Sequence, residues 1–210
     1  MSDNLEIDID KKTRREIAKL LGDLKKKTPR VIAKAANETA KVARPLLANM
    51  ARVKYTVNAK YLQAEQMEIK KAKVRDPTAT IKVSGGSTNL YQFDVTPKTL
   101  SKKRKEAPKA RVLYSSGMKT LQTGNLKAFI VKFASGHKAI AQRTGTIKTG
   151  KKNRFARECK VLLSPSLPTM IGNEKNVFGP LRAHINEIFR ECCLREIQKI
   201  VEENKAGDTK

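Results

Sequence analysis

Tryptophan is absent from this 210-residue chain, and all aromatic residues together make up only 5%. Its core must therefore be mainly aliphatic, and a platform of stacking rings for single-stranded nucleic acid has few residues to draw on. Cysteine is scarce as well. Cys159, Cys192 and Cys193 are odd in number, and two are adjacent. That is no disulfide framework, and a reducing compartment is the expectation. There is no C-x-x-C. His137 is expected in a turn and His184 on a helix, and Cys192 and Cys193 are not expected to share a helix face. No metal and no cofactor is expected; buried thiols and surface imidazoles are the plain reading. No apolar run approaches the ~20 residues of a membrane span. The acidic, polar first residues predict no signal peptide.

Acids are the other shortage: 20 Asp and Glu stand against 45 Lys and Arg, a net charge of +25. Between Pro77 and Asn173 there are 19 basic residues and three acids, Asp94, Glu106 and Glu158. Few carboxylates remain there to orient a histidine. Ser116, Ser135 or Cys159 with His137 lacks any nucleophile-elbow spacing. The glycines of 84–87 and 145–150 lack the Walker and dinucleotide patterns and read as turns. The chain is expected not to be an enzyme. Such a charge favours a polyanion or acidic partner surfaces. The ends differ, with Asp3, Glu6, Asp8 and Asp10 in the first ten residues and Glu187, Glu191, Glu196, Glu202 and Glu203 in the last helix. A positive middle with acidic ends permits head-to-tail contact between copies.

What is abundant is periodicity. Leu126 to Gly145 holds two apolar runs joined by Ser135-Gly136-His137. Phe129, Ile130, Val131 and Phe133 suit a pleated surface, and glycine suits the turn. This predicts a β-hairpin in the middle of a sheet that the flanking helices cover. Residues 1–10 read as a loose arm or a short edge strand, since Leu5, Ile7 and Ile9 alternate with acids. Ile17, Leu20, Leu21 and Leu24 mark a short helix. Thr28-Pro29 opens a longer one, through Ala35, Ala36, Val42, Ala43 and Leu46, with Pro45 expected to kink or divide it. Its apolar stripe is either core or an inter-subunit contact, and those five residues are the candidate interface. Asn58 is expected to cap a further helix through Tyr61, Leu62, Glu65, Ile69 and Ala72, ended by Asp76-Pro77.

Strands are then predicted over 78–83, 90–95, 111–115 and 158–163. Two basic segments, 98–111 and 146–157, read as exposed loops. They carry Lys98, Lys102, Lys103, Arg104, Lys105, Lys109 and Arg111, and Lys148, Lys151, Lys152, Arg154 and Arg157. These residues either track phosphates without reading bases, or are simply solvated, or meet acidic partner faces. Ser164 to Pro168 reads as a stiff turn, and Gly179-Pro180 starts a last helix. The fold class is α+β: N-terminal helices, a central antiparallel β-sheet with basic loops, and a C-terminal helix packed on the sheet. The expected organisation is an arm and short helix at 1–27, one domain at 28–203 and a flexible tail at 204–210.

One further signal lies in particular segments. The order is the alanine-rich basic helix, then Lys71-Ala-Lys-Val-Arg-Asp-Pro, then Ala79-Thr-Ile-Lys-Val-Ser-Gly-Gly. Next come Lys127-Ala-Phe-Ile with Ala134-Ser-Gly-His-Lys, Gln142-Arg-Thr-Gly, and Leu163-Ser-Pro-Ser-Leu-Pro-Thr-Met. Over about residues 28–203 this resembles the minor tail protein Z family of long-tailed bacteriophages. The segment between Gly145 and Cys159 departs from the pattern.

The resemblance implies a virion structural protein of the tail and neck, made in the host cytoplasm during assembly. It would complete the head-proximal end of the tail and take part in head-tail joining. It implies a homo-oligomeric ring, six subunits matching the tail tube, around the DNA channel. The implied partners are tail terminator and tail tube proteins, head-tail connector proteins and the genomic DNA end, with no membrane. A general basic nucleic-acid-binding protein of ribosomal or chromosomal type is the alternative.

Overall fold

A computed structural model describes residues 2–7, 11–100, 106–149 and 155–207, with side chains over 15–22, 26–100, 106–144 and 158–204. In chain order the elements are β1 (Ser2–Ile7), α1 (Lys11–Leu21), α2 (Thr28–Lys54), β2 (Met67–Lys70), β3 (Ala79–Ser84), β4 (Ser87–Asn89) and β5 (Asp94–Thr96). There follow β6 (Lys109–Arg111), β7 (Lys119–Thr120), β8 (Gln122–Thr123), β9 (Leu126–Lys132) and β10 (Lys138–Thr149). The last are β11 (Phe155–Val161), β12 (Leu163–Ser166), α3 (Leu167–Ile171) and α4 (Phe178–Gly207). The chain is α+β, 46% helical and 28% strand. Among the described residues the strands do not make one central sheet; they form four small antiparallel ones. The contacts divide the chain into two compact units: residues 1–51, 63–85 and 171–210, and residues 52–62 and 86–170.

The first unit holds α1, α4, most of α2 and the three-stranded sheet β1-β3-β2. Alanine lets α2 be approached on almost every side over its first half. Val31, Ala35, Ala36, Ala40 and Ala43 are wholly inaccessible. Pro45 does not divide the helix, which runs on to Lys54. On α4 the buried residues Leu181, Ile185, Phe189, Cys192, Glu196 and Ile200 recur every three to four positions, the helical period. Cys193 and Ile197 widen that face, so both adjacent thiols are buried, contrary to the expected split. Burial lifts the Cys193 thiol to about 12, and Cys192 is raised too.

Glu196 is the exception on the apolar face: its side chain is 2% exposed. Lys199 donates to its Oε1 at 2.7 Å, and Lys34 of α2 stands 3.0 Å from Oε2. Desolvation pushes this carboxyl up, but the two lysines outweigh it and hold it below the usual range. A carboxyl depressed in the folded state stabilises above its unfolded pKa and loses that contribution as pH falls through the folded value. Glu196→Gln is therefore expected to cost about 1–2 kcal/mol at neutral pH, since both lysines can return to water. Chemical denaturation along a pH series checks this: the gap from wild type should close at pH values below the ordinary carboxylate pKa of about 4.5.

The expected helix over 58–72 is replaced by two 3₁₀ turns and β2. Asn58 does act as a cap, accepting from the Lys60 amide, but only for a three-residue turn. From Met67 the period is two: Met67 is buried, Glu68 exposed, Ile69 half-buried and Lys70 exposed. Pairing with β3 sets Glu68 opposite Lys82 and Ile69 opposite Ile81, which rewards the strand over local helix preference. Asn37 fixes the strand's end to α2, donating to Ala72 O at 3.1 Å and accepting from Ala72 N at 2.7 Å.

The second unit contains the four-stranded sheet β11-β10-β9-β8, the three-stranded β5-β6-β7 and the pair β12-β4. The predicted hairpin is present, with β9 and β10 the two inner strands. Phe133 N donates to His137 O and Gly136 N to Phe133 O, at 2.8 and 2.9 Å, with Gly136 at φ +80°. This is a three-residue loop with glycine at its left-handed position. Residues 90–95, expected as one strand, split into a 3₁₀ turn capped by Asn89 and the short β5. Residues 163–166 are not a turn but β12, paired with β4. The 146–157 segment is not simply a loop: β10 runs to Thr149 and β11 starts at Phe155, paired Ile147 to Arg157 and Thr149 to Phe155. Thr146, Ile147 and Thr149 are β-branched, which favours extension.

Candidate nucleic-acid interface

The division into units also divides the charge. The second unit holds 21 Lys and Arg and three acids, a net of +18 over 96 residues. The first holds 24 and 17, a net of +7 over 114. The candidate surface is therefore the second unit, where small sheets project lysines and arginines from short strands.

Thr56 organises part of that surface. Its backbone donates to Val112 O at 2.9 Å, its hydroxyl donates to Arg111 O at 2.6 Å, and it accepts from Asp94 N at 3.2 Å. Asp94 and Arg111 are thus register partners on β5 and β6, and their side chains close an ion pair at 2.6 Å. The Arg111 guanidinium also lies 5.6 Å from the Tyr114 ring centre. Arg111 is accordingly a committed cation, whereas Lys98 and Lys109 are exposed. Of the other nominated residues, Lys102, Lys103, Arg104, Lys105, Lys151, Lys152 and Arg154 lie outside the described residues. Lys148 and Arg157 sit on β10 and β11 with their side chains outside them.

The structure adds cations that the loop reading does not include. Lys119, Lys132, Arg143 and Lys160 are exposed, and Lys138 is half-buried. Several rings of this unit already carry a cation or an imidazole: Lys60 lies 5.5 Å from Tyr61, Arg143 lies 5.8 Å from Phe129, and His137 stacks on Phe133 with centres 6.2 Å apart. Occupied ring faces disfavour base stacking, while the charges they hold remain available to phosphate oxygens. The signal for these residues is the strand register, which composition does not contain.

The five nominated interface residues fall in two groups. Ala35, Ala36 and Ala43 are fully buried within the chain itself. Val42 is 44% exposed and Leu46 half-buried, so these two alone of the five keep accessible surface. Among the described residues no group of three His, Cys, Asp or Glu side chains is placed to hold a metal ion. No described helix is long and apolar enough to cross a membrane.

The match that specifies the class is to a structural protein of phage tails: residues 12–201 fit the family model described as prophage minor tail protein Z. The chain belongs to that family, as the segment resemblance implied, and is a minor tail protein, a structural component of the virion tail. No curated protein and no solved structure matches it.

Proposed function

We propose that this protein completes the head-proximal end of the phage tail and takes part in head-tail joining, as one subunit of a ring around the DNA channel. The observation that carries the reading is the charge division. One unit holds +18 with three acids, while the other is close to balanced for its size. A ring subunit at a DNA conduit needs one region that attracts phosphate without reading sequence, and another that neighbours can contact without strong repulsion. The second unit suits the first task through Lys98, Lys109 and their neighbours. The first unit suits the second, with Val42 and Leu46 of α2 as a surface for copies of itself. Tail terminator, tail tube and connector proteins are the other partners in this reading, and the DNA end is bound non-specifically. Assembly takes place in the host cytoplasm.

The test is genetic and structural together. Particles made without this protein should have tails of full length that fail to join productively to filled heads, and supplying the protein should restore joining. Complete, infectious particles lacking it would end the proposal. If the isolated monomer instead binds free duplex or RNA tightly at physiological salt, the reading as a general basic nucleic-acid-binding protein takes its place.

A further inference from the structure

We infer that Lys132 and Lys138, at the tip of the β9–β10 hairpin, form a two-lysine clamp for a backbone phosphate of duplex DNA. The inference rests on the DNA-facing reading of the second unit and names a site within it. In the described sheets, two opposed pairs join unlike charges, Glu68 with Lys82 and Asp94 with Arg111. Lys132 opposite Lys138 is the described pair that joins like charges.

The turn makes this pairing close. Phe133 and His137 form the hydrogen-bonded pair next to the loop. Antiparallel pairs alternate, so Lys132 and Lys138 form a non-hydrogen-bonded pair, the kind whose side chains approach most nearly. Like charges so opposed destabilise a sheet. The sequence from residue 107 to 157, which includes the whole hairpin, holds no acid.

The tip is nonetheless held in shape. Asn89 donates through Nδ2 to Lys138 O at 3.0 Å and to His137 Nε2 at 2.9 Å. Its Oδ1 accepts from Tyr91 N at 3.0 Å, which fixes the orientation of the amide. Two lysines that leave one face of the sheet side by side beside a braced turn can both reach one phosphodiester, which takes charge-assisted hydrogen bonds from both and removes their repulsion. A base-reading role is disfavoured, because lysine meets phosphate as a point charge and the adjacent Phe133 ring is stacked on His137.

The experiment uses the full-length chain and a fluorescent duplex oligonucleotide, with affinity measured across a salt series. K132Q/K138Q should weaken binding at low salt by about 3–10-fold and make the log–log salt slope shallower by about 1. The matched control K41Q/K175Q, which removes two exposed lysines of the first unit, should leave the slope close to that of wild type. Without DNA, K132E should melt about 1–3 °C above wild type, because it turns a repulsive pair into an attractive one. A wild-type slope for K132Q/K138Q overturns the clamp while leaving the DNA-facing reading in place. Failure of the wild-type chain to bind duplex at any salt overturns both. Unchanged DNA binding with loss of incorporation into particles assigns the lysines to an acidic protein surface and likewise overturns the clamp.

Discussion

Replacing Phe93 with alanine is expected to cost about 3–5 kcal/mol, the largest single-residue effect on stability outside the helical unit. Phe93 is wholly inaccessible and heads the fully buried side chains by volume. It follows the short turn capped by Asn89, and its amide bonds back to Leu90 O at 3.1 Å. Among the described residues of the second unit, Leu62, Ile140 and Met170 are the other large side chains that are fully inaccessible, and Tyr55, Val57, Leu90, Val95 and Leu167 are also buried. The same unit bears +18, so self-repulsion already works against it. The loss should therefore be most visible at low salt and partly recovered as screening increases. Denaturant titrations of Phe93→Ala at low and high salt check this. A wild-type midpoint at low salt would mean that the core described around Phe93 is wrong.

Neutralising five described lysines of the second unit together, Lys98, Lys109, Lys119, Lys132 and Lys160, each to Gln, is expected to lower duplex affinity by about 10²–10³-fold at moderate salt. All five are exposed: Lys109 and Lys119 begin short strands, Lys160 lies on β11, Lys98 follows β5, and Lys132 closes the β9–β10 hairpin. Among the described residues none of them forms the kind of committed pair that Arg111 makes with Asp94 at 2.6 Å. Each lysine–phosphate interaction removed should flatten the salt slope by about 0.9, so the expected change is a slope shallower by up to about 4. Because no base is read, the weakening should be the same on unrelated duplex sequences. Anisotropy titrations on two such duplexes measure both quantities. A weakening confined to one sequence would contradict a phosphate-directed surface.

Much of this fold is legible in the chain wherever local pattern and tertiary need agree. The β9–β10 hairpin is readable because Phe129, Ile130 and Val131 favour a strand and Gly136 supplies the left-handed turn position. The two long helices are readable from their apolar period and from Thr28-Pro29 and Gly179-Pro180. Residues 58–72 mislead because Tyr61, Leu62, Glu65 and Ile69 happen to fall near helical spacing. Only the partner strand β3 reveals the period of two from Met67 to Lys70. Ser164 to Ser166 misleads for a similar reason: proline beside serine suggests a turn, but β4 offers an edge to pair with. For the candidate site, the excess of charge between Pro77 and Asn173 is plain in the sequence, but the joining of residues 52–62 to 86–170 in one unit depends on contacts between distant segments. The opposition of Lys132 to Lys138 and the bracing by Asn89 depend on register, which the chain's order does not print.

The most direct test of the DNA-facing claim is to cross-link DNA to protein in intact virions and map the attached residues by mass spectrometry. The account predicts attachment to lysines within residues 52–62 and 86–170, with Lys132 and Lys138 among them. Attachment confined to residues 11–51, 63–85 and 171–207, or none to this protein at all, would contradict it.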